Sequence, residues 1–320
     1  MRLVFLGSPP FALPTLAALL ESRFRPVAVV TPPDRPRGRG RRVEPSPVAS
    51  LAEAAGVPLL RPTSARDAAF QAELADLAPD LMLVVSYGEL LDEAFLALAP
   101  ALNVHGSLLP RHRGASPVQA AILAGDAETG VSIQRIVKAL DAGDVLHERR
   151  TPIGPDETAG ELFERLAALG AEAALEALAL VEDGRATYAP QDPDLVTHCR
   201  KIKKDAGRVD WTRPADELAR LVRAMAPWPS AQAQLPEDLG GKGLKIHRAR
   251  ALVDGHGAGV TPGTVLTADV RFVVACGDGA LELLDVQLEG KRAMPAADLL
   301  RGLRLGAGVV LPSTADGEAA

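Results

Sequence analysis

The sequence predicts an α/β protein with two domains: a Rossmann-like, mostly parallel sheet, followed by a smaller OB-like β-barrel. Two observations lead to this prediction. In the N-terminal half, short continuous apolar runs alternate with helical stretches, a pattern typical of parallel strands buried on both faces. Near the C-terminus, short β-like runs are separated by turn residues, as in a small barrel. A chain of 320 residues is also long enough for about two domains.

The first domain is expected over residues 1–189. Parallel strands are predicted where apolar residues run without interruption, at residues 3–6, 27–31, 81–85 and 102–104. Residues 131–137 and 145–153 are predicted to form an antiparallel pair. Helices are predicted between the strands, at residues 11–20, 48–55, 92–98, 116–124 and 157–182.

The composition then changes, and residues 190–206 are interpreted as a basic linker without clear periodicity. The second domain is expected over residues 207–312. It begins with a helix at residues 216–225, and its strands are predicted at 244–247, 264–266, 272–275 and 281–286. Residues 313–320 are small and polar, and we expect them to fray.

Charge and composition narrow the classes of function. The formal net charge is −6, yet basic residues cluster on separate segments, a distribution that suits a polyanion held at chosen places. The clusters are Arg35, Arg37, Arg39, Arg41 and Arg42; Arg200, Lys201, Lys203 and Lys204; and Lys242, Lys245, His247, Arg248 and Arg250. The start does not resemble a signal peptide, and no apolar stretch has the length of about 18 residues that a membrane span needs. We therefore expect a cytoplasmic protein.

The strongest chemical signal lies between Asn103 and Asp144. Asn103 and His105 lie two residues apart at the end of a predicted strand, so their side chains point the same way. Asp141 lies in a turn before an apolar strand. An amide donor, an imidazole and a carboxylate suit acyl transfer. No nucleophile elbow is present and neither cysteine has a catalytic partner, which favours direct transfer to an amine.

Several segments then resemble one family. The segment Asn-Val-His-Gly-Ser-Leu-Leu-Pro-Arg-His-Arg-Gly at 103–114 resembles the signature of the folate-dependent formyltransferases, as do residues 125–131 and Leu-Asp-Ala-Gly-Asp at 140–144. The spacing of these blocks is similar to that of the members that formylate methionyl-tRNA. The resemblance extends to the arginine-rich loop at 32–40, to Arg-Val-Asp-Trp at 208–211 and to Pro-Trp-Pro at 227–229.

The resemblance implies the formyltransferase fold and a set of site residues. The catalytic residues would be Asn103, His105 and Asp141. In the mechanism that we derive from these residues, Asn103 and a protonated His105 donate to the oxyanion. Asp141 holds the imidazolium and accepts a proton from the attacking ammonium, directly or through a water. The tetrahydrofolate site would be formed by Ser86, Tyr87, Gly88, Ser107, Leu108, Leu109, Pro110, Leu140 and Asp144. Contacts to tRNA would come from Arg35, Arg37, Arg39, Arg41, Arg42, Lys201, Lys203, Lys204, Lys245 and Arg248. His112 lies between two arginines and is assigned a surface or phosphate-binding role.

The implied reaction moves a formyl group from 10-formyltetrahydrofolate to the amino group of methionyl-initiator tRNA, without a metal. Two alternatives stay open. One is a formyltransferase for a small amine, such as glycinamide ribonucleotide or an amino sugar nucleotide, and the arginine loop and basic second domain argue against it. The other is a non-catalytic RNA-binding protein, which the intact catalytic residues argue against.

Overall fold

The structure is a computed structural model, and it describes residues 1–37, 42–252, 259–303 and 305–313. The chain divides into two compact units. Unit 1 comprises Met1–Pro117, Glu128–Pro152 and Leu162–Arg200, and unit 2 comprises Val118–Ala127, Ile153–Glu161 and Lys201–Ala320. Within the described residues, no helix combines the length and the apolar character needed to cross a membrane.

The strands that the structure describes are, in chain order, β1 (Leu3–Gly7), β2 (Ala28–Val30), β3 (Arg35–Arg37), β4 (Arg42–Glu44), β5 (Leu59–Leu60), β6 (Leu81–Val85), β7 (Ala101–His105), β8 (Arg113–Gly114), β9 (Glu128–Arg135), β10 (Val145–Pro152), β11 (His198–Cys199), β12 (Ala231–Gln234), β13 (Gly243–Leu252), β14 (Val265–Ala268), β15 (Phe272–Ala275), β16 (Ala280–Leu288) and β17 (Met294–Pro295). The helices are α1 (Leu13–Leu20), α2 (Pro47–Ala54), α3 (Ala68–Asp76), α4 (Glu93–Leu96), α5 (Pro117–Ala124), α6 (Ala159–Glu182), α7 (Ala215–Ala224) and α8 (Ala296–Gly302).

The main sheet of unit 1 has the strand order β5-β2-β1-β6-β7-β9-β10. The strands from β5 to β7 are parallel, whereas β9 and β10 continue the sheet in antiparallel pairs. All residues of β1 and β6 are buried, because neighbouring strands and both faces of the sheet exclude water from these apolar runs. The predicted mostly parallel sheet is confirmed.

The connections of unit 1 create a crevice at the carboxyl edge of the sheet. From β1 the chain proceeds to β2 and β5 on one side, and it then returns to β6 and β7 on the other side. Ligands of open α/β sheets bind where the strand order reverses in this way. Gly7 ends β1 there, and a Cβ on Gly7 would lie 2.9 Å from the carbonyl oxygen of Val85. Glycine therefore permits the close approach of β1 and β6 at the crevice.

Unit 2 contains a separate antiparallel sheet with the order β12-β13-β16-β15-β14, and β17 pairs with β16. The helix α7 packs on β13 and buries Leu218, Leu221 and Val222. Trp211 is 1% exposed and is among the largest side chains of this core. The antiparallel second domain is confirmed, while closure of its sheet into a barrel stays a prediction.

The structure also contains elements that the sequence does not predict. The arginine-rich segment includes a short ribbon in which β3 pairs antiparallel with β4. The short strands β8 and β11 pair in parallel, although β11 falls in the segment interpreted as a linker. Residues 191–200 accordingly belong to unit 1. The helices α3 and α8 and the strand β12 are likewise not predicted from the sequence.

Candidate active site

The last residues of β7 form the centre of the candidate site. The strand β7 lies between β6 and β9, and Asn103 is paired with Val84 on one side and with Gln134 on the other. His105 ends the strand opposite Ser132 of β9. This placement at the carboxyl edge agrees with the prediction for Asn103 and His105.

The turn after β9 brings Asp141 to these two residues. Asp141 Oδ1 lies 3.5 Å from Asn103 Nδ2 and 3.7 Å from His105 Nδ1. The backbone of Asp141 has a φ of 50°, in the left-handed region that non-glycine residues rarely adopt. The three predicted catalytic side chains are thus grouped around one carboxylate oxygen.

Asp141 is held by two further donors. Its Oδ2 accepts a hydrogen bond of 2.8 Å from the Gly114 backbone N–H, and its Oδ1 accepts one of 3.0 Å from Gln134 Nε2. These two hydrogen bonds fix the orientation of the carboxylate. The site therefore contains an oriented carboxylate next to His105.

His105 is 5% exposed, and its Nε2 lies 3.0 Å from the carbonyl oxygen of His112. Because a carbonyl only accepts, Nε2 carries the proton and donates it. Burial lowers the pKa of His105, although Asp141 opposes this effect. Burial therefore favours the neutral imidazole, and Nδ1 faces the carboxylate of Asp141 at 3.7 Å. The expectation that a protonated His105 donates to the oxyanion during the reaction stays a prediction.

His112 has a different place from the one expected. Its side chain is 6% exposed, and its backbone N–H donates to Thr197 Oγ1 at 2.8 Å. The assigned surface or phosphate-binding role is therefore wrong. The backbone of His112 instead connects the catalytic imidazole with the segment that contains Thr197.

Sequence reasoning missed two glutamines at this site. Gln134, 1% exposed, donates to Asp141 as described above. Gln191 Nε2 lies 2.9 Å from the carbonyl oxygen of Asp141 and 2.7 Å from that of Gly143. Gln134 lies in a buried strand and Gln191 in a coil, so neither belongs to a pattern that a single sequence reveals.

The residues assigned to folate binding divide into two groups. Ser86, Gly88 and Leu140 are exposed, and Leu108, Pro110 and Asp144 are half-buried. The side chains of Tyr87, Ser107 and Leu109 are buried: Tyr87 packs in the core of unit 1, and Ser107 Oγ donates to the carbonyl oxygen of Arg111 at 2.6 Å. The buried residues therefore support the backbone of the loops in which they lie, and their side chains present little surface to a ligand.

The residues assigned to tRNA contact lie in several segments. Lys201, Lys203, Lys204, Lys245 and Arg248 are exposed, and Arg248 forms an ion pair of 3.1 Å with Asp285. For Arg35, Arg37 and Arg42 the structure describes the backbone of β3 and β4. Arg39 and Arg41 lie outside the described residues. In the part of the chain that the structure describes, no group of three or more histidine, cysteine or acidic residues could hold a metal ion.

An open α/β sheet with an asparagine, a buried histidine and an oriented carboxylate at its carboxyl edge is the arrangement of a group-transfer enzyme. Residues 1–178 match the family described as formyl transferase, and residues 201–304 match the formyl transferase C-terminal domain. The chain belongs to the formyl transferase family.

Two relatives match nearly the whole chain. The methionyl-tRNA formyltransferase of Pseudomonas syringae pv. syringae (strain B728a) is 47% identical over 307 residues, which are 95% of this chain and 95% of the relative. The methionyl-tRNA formyltransferase of Myxococcus xanthus (strain DK1622) is 48% identical over 310 residues, which are 96% of each chain. These similarities include both formyl transferase domains.

Solved structures share the fold at lower identity. An N-formyltransferase from Helicobacter canadensis, in complex with folinic acid and dTDP-3-aminofucose, has a TM-score of 0.65 at 15% identity and covers 88% of this chain and 98% of its own. HypX from Aquifex aeolicus, in complex with tetrahydrofolic acid, has a TM-score of 0.60 at 22% identity, covering 94% of this chain and 47% of its own. At such identities the likeness shows the fold alone.

Proposed function

We propose that this protein transfers the formyl group of 10-formyltetrahydrofolate to the α-amino group of methionyl-initiator tRNA, for the initiation of translation in the cytoplasm. The assignment of this acceptor rests on the identity of 47% with a methionyl-tRNA formyltransferase over 95% of both chains. The grouping of Asn103, His105 and Asp141 supports the chemistry.

Asn103 is proposed to stabilise the charge that develops on the formyl oxygen. When the free amine attacks the formyl carbon, a C–N bond forms and the carbonyl electrons move to the oxygen. Among the contacts of the described residues, the Asn103 amide has a single one, at the long distance of 3.5 Å to Asp141. Its N–H groups are therefore available to donate to an oxyanion.

His105 and Asp141 are proposed to move the proton. The attacking amine must lose a proton, and the nitrogen that leaves must gain one. Neutral His105 accepts this proton at Nδ1, and the Asp141 carboxylate at 3.7 Å stabilises the resulting imidazolium. His105 then returns the proton to the leaving nitrogen as its bond to the formyl carbon breaks.

The segments assigned to the folate fit a flat aromatic co-substrate, which would supply the formyl carbon. Leu90, two residues beyond Gly88, is 66% exposed, and Leu140, adjacent to Asp141, is 56% exposed. The exposed Leu140 next to Asp141 offers the apolar surface that ligand pockets combine with a few oriented polar groups. Ser86 and Gly88, both with positive φ, follow β6 at the reversal of strand order.

The exposed basic residues fit a polyanionic acceptor. Lys201, Lys203 and Lys204 follow one another closely at the start of the longest segment of unit 2. An exposed ion pair such as Arg248–Asp285 contributes at most about 1 kcal/mol, so a phosphate can replace Asp285 at little cost. A small amine would not need these cations.

The test is an acceptor comparison with purified protein and 10-formyltetrahydrofolate. We expect formylation of methionyl-initiator tRNA, and none of glycinamide ribonucleotide or an amino sugar nucleotide. His105→Ala and Asp141→Ala should abolish turnover while the fold, followed by circular dichroism, is kept. Formylation of a small amine without use of the tRNA would overturn the proposal.

A further inference from the structure

The segment from Gln191 to Cys199 lies against the loop that follows β7. Thr197 Oγ1 accepts from the His112 N–H, and the Thr197 carbonyl accepts from the Arg113 N–H at 2.9 Å. Burial raises the pKa of the Cys199 thiol, and this S–H donates to the carbonyl oxygen of His112 at 3.3 Å. A segment expected to be a linker is thus part of the structure around His105.

Gln191 makes the most contacts of this segment. Its Nε2 donates to the carbonyl oxygens of Asp141 and Gly143, at the two ends of the turn that presents Asp141, and also lies 3.2 Å from Gln134 Oε1. Its Oε1 accepts from Arg113 Nε at 2.9 Å and from an Arg113 terminal nitrogen at 2.7 Å. The Gln191 carboxamide therefore connects Arg113, in the loop that follows β7, with the turn that contains Asp141.

These partners fix the orientation of the Gln191 amide. A rotation by 180° would place Oε1 against two carbonyl oxygens and the NH₂ group against a guanidinium, and neither arrangement forms hydrogen bonds. The same logic orients Gln134, because its Oε1 faces Gln191 and its Nε2 faces Asp141 Oδ1 at 3.0 Å. Gln191 thus acts on the Asp141 backbone directly and on its carboxylate through Gln134.

The turn itself needs such support. A non-glycine residue in the left-handed region, as Asp141 is, persists where surrounding contacts hold it. Gly143 is also tightly enclosed, since a Cβ there would lie 1.9 Å from the carbonyl oxygen of Arg135. Contacts on both sides of the turn therefore determine where the carboxylate lies.

We propose that Gln191 is a positioning residue for the formyl transfer: it holds the turn that presents Asp141 and keeps this carboxylate within reach of Asn103 and His105. This inference rests on the proposed function and deepens it. In this role Gln191 affects turnover through Asp141, because its hydrogen bonds go to the Asp141 turn, Gln134 and Arg113.

The first test separates turnover from binding. Gln191→Ala should lower kcat by about 10- to 100-fold, as loss of a supporting hydrogen-bond partner does, and leave KM for both substrates unchanged. The matched control is Gln71→Ala, because the Gln71 amide also donates to a backbone carbonyl, that of Ala65, in another part of unit 1. This control should retain normal turnover.

A second variant distinguishes the contact of Gln191 with Arg113 from its contacts with the Asp141 turn. Gln191→Glu keeps an acceptor for Arg113 but has no donor for the carbonyls of Asp141 and Gly143. If Gln191 positions the turn, Gln191→Glu should be as impaired as Gln191→Ala. Recovery of turnover by the glutamate would show that the Arg113 contact alone matters, and this result would overturn the inference.

A double-mutant cycle tests whether Gln191 acts through Asp141. In single-turnover assays, Gln191→Ala should have no further effect once Asp141→Asn is present, because residues that act as a unit are not additive. Additive effects would overturn the inference.

Hydrogen exchange supplies a readout independent of activity. The Gly114 N–H donates to Asp141 Oδ2, and it should exchange faster in Gln191→Ala and Gln191→Glu while other core amides keep their rates. Unchanged exchange at Gly114 would overturn the inference. An inactive wild-type protein with this accelerated exchange in both variants would instead contradict the proposed function and leave the positioning by Gln191 supported.

Discussion

Among single residues, Asp141 receives the most contacts of the candidate site. Gly114 and Gln134 donate to its carboxylate, Gln191 donates to its carbonyl, and His105 faces it. Asn103 has no comparable set of contacts. This difference agrees with the roles proposed for the two residues: Asp141 is fixed in place, and Asn103 donates to the reacting group.

The role of Asn103 leads to the first prediction. Asn103→Ala should lower kcat by about 10²–10³-fold, the typical cost of one lost oxyanion donor. The dissociation constant for the folate, measured by calorimetry, should stay the same because the assigned folate segments are unaffected. Near-normal kcat would remove Asn103 from the catalytic residues.

The burial of His105 leads to the second prediction. In a titration followed by ¹⁵N NMR, the pKa of His105 should lie below the ordinary value of 6.5, because burial disfavours the imidazolium. Asp141→Asn should lower this pKa further, since the carboxylate that favours the charged ring is removed. His105→Gln identifies the resonance, and a pKa above 6.5 in the wild-type protein would contradict the lowering of the His105 pKa by burial.

At the scale of elements, the pairing of β8 with β11 depends on one glycine. Gly114 has a φ of 122°, and a Cβ there would lie 2.1 Å from the carbonyl oxygen of Cys199. A contact below 3.0 Å with a backbone atom requires the backbone to move. The distance between β8 and β11 is therefore compatible with glycine alone.

The third prediction follows from the short distance between Gly114 and the backbone of Cys199. Gly114→Ala should lower turnover strongly and reduce the thermal stability, because the N–H that donates to Asp141 and the contacts of His112 are displaced together. Gly184→Ala is the matched control: Gly184 also has a positive φ, of 65°, but nothing lies within 4 Å of the place that an added methyl group would take. Normal turnover in Gly114→Ala would show that the pairing of β8 with β11 does not support the site.

The ribbon formed by β3 and β4 leads to the fourth prediction. In the sequence, β3 and β4 flank Arg39, one of the residues that the family resemblance assigns to tRNA contact. Arg39→Ala should lower kcat/KM for methionyl-tRNA and leave KM for the folate unchanged. Arg66→Ala, at an exposed arginine elsewhere in unit 1, should change neither. Unaltered tRNA kinetics in Arg39→Ala would leave the loop without a role in acceptor recognition.

Elements differ in how far the sequence predicts them. The strands β1 and β6 are predictable because burial on both faces requires an unbroken apolar run. The two-residue strands β8 and β11 are too short for any periodicity, and they pair across more than 80 residues of chain. In the site, Asn103 and His105 belong to a recognisable segment, whereas Gln134 and Gln191 act through distances that only the folded chain defines.

For the whole molecule, the acidic net charge of −6 leaves tRNA binding to local clusters. Exposed cations that contact phosphates release counterions. The logarithm of the binding constant therefore falls by about 0.7–0.9 for each tenfold increase in salt concentration and for each phosphate contact. The dependence of tRNA binding on salt is therefore a measure of how many such contacts exist.

The fifth prediction concerns the slope of this dependence of tRNA binding on salt concentration. Lys203→Glu and Lys204→Glu should each weaken tRNA binding and flatten its salt dependence by about one phosphate contact. The folate affinity should not change. Arg66→Glu makes the same change of charge away from the clusters and should keep the wild-type slope. Equal slopes for all variants would exclude Lys203 and Lys204 from the tRNA contacts.

The contacts of residues 191–199 also restrict how this chain can be recombined with a homologous one. A breakpoint near residue 190 would join the Asp141 turn of one parent to the Gln191 and Thr197 positions of another. Such a chimera would take hydrogen-bond partners of this chain from two different parents. A breakpoint after Arg200 keeps these partners within one parent while exchanging the basic residues that follow. Chimeras should therefore retain their chemistry and change their acceptor only when the junction lies beyond Arg200.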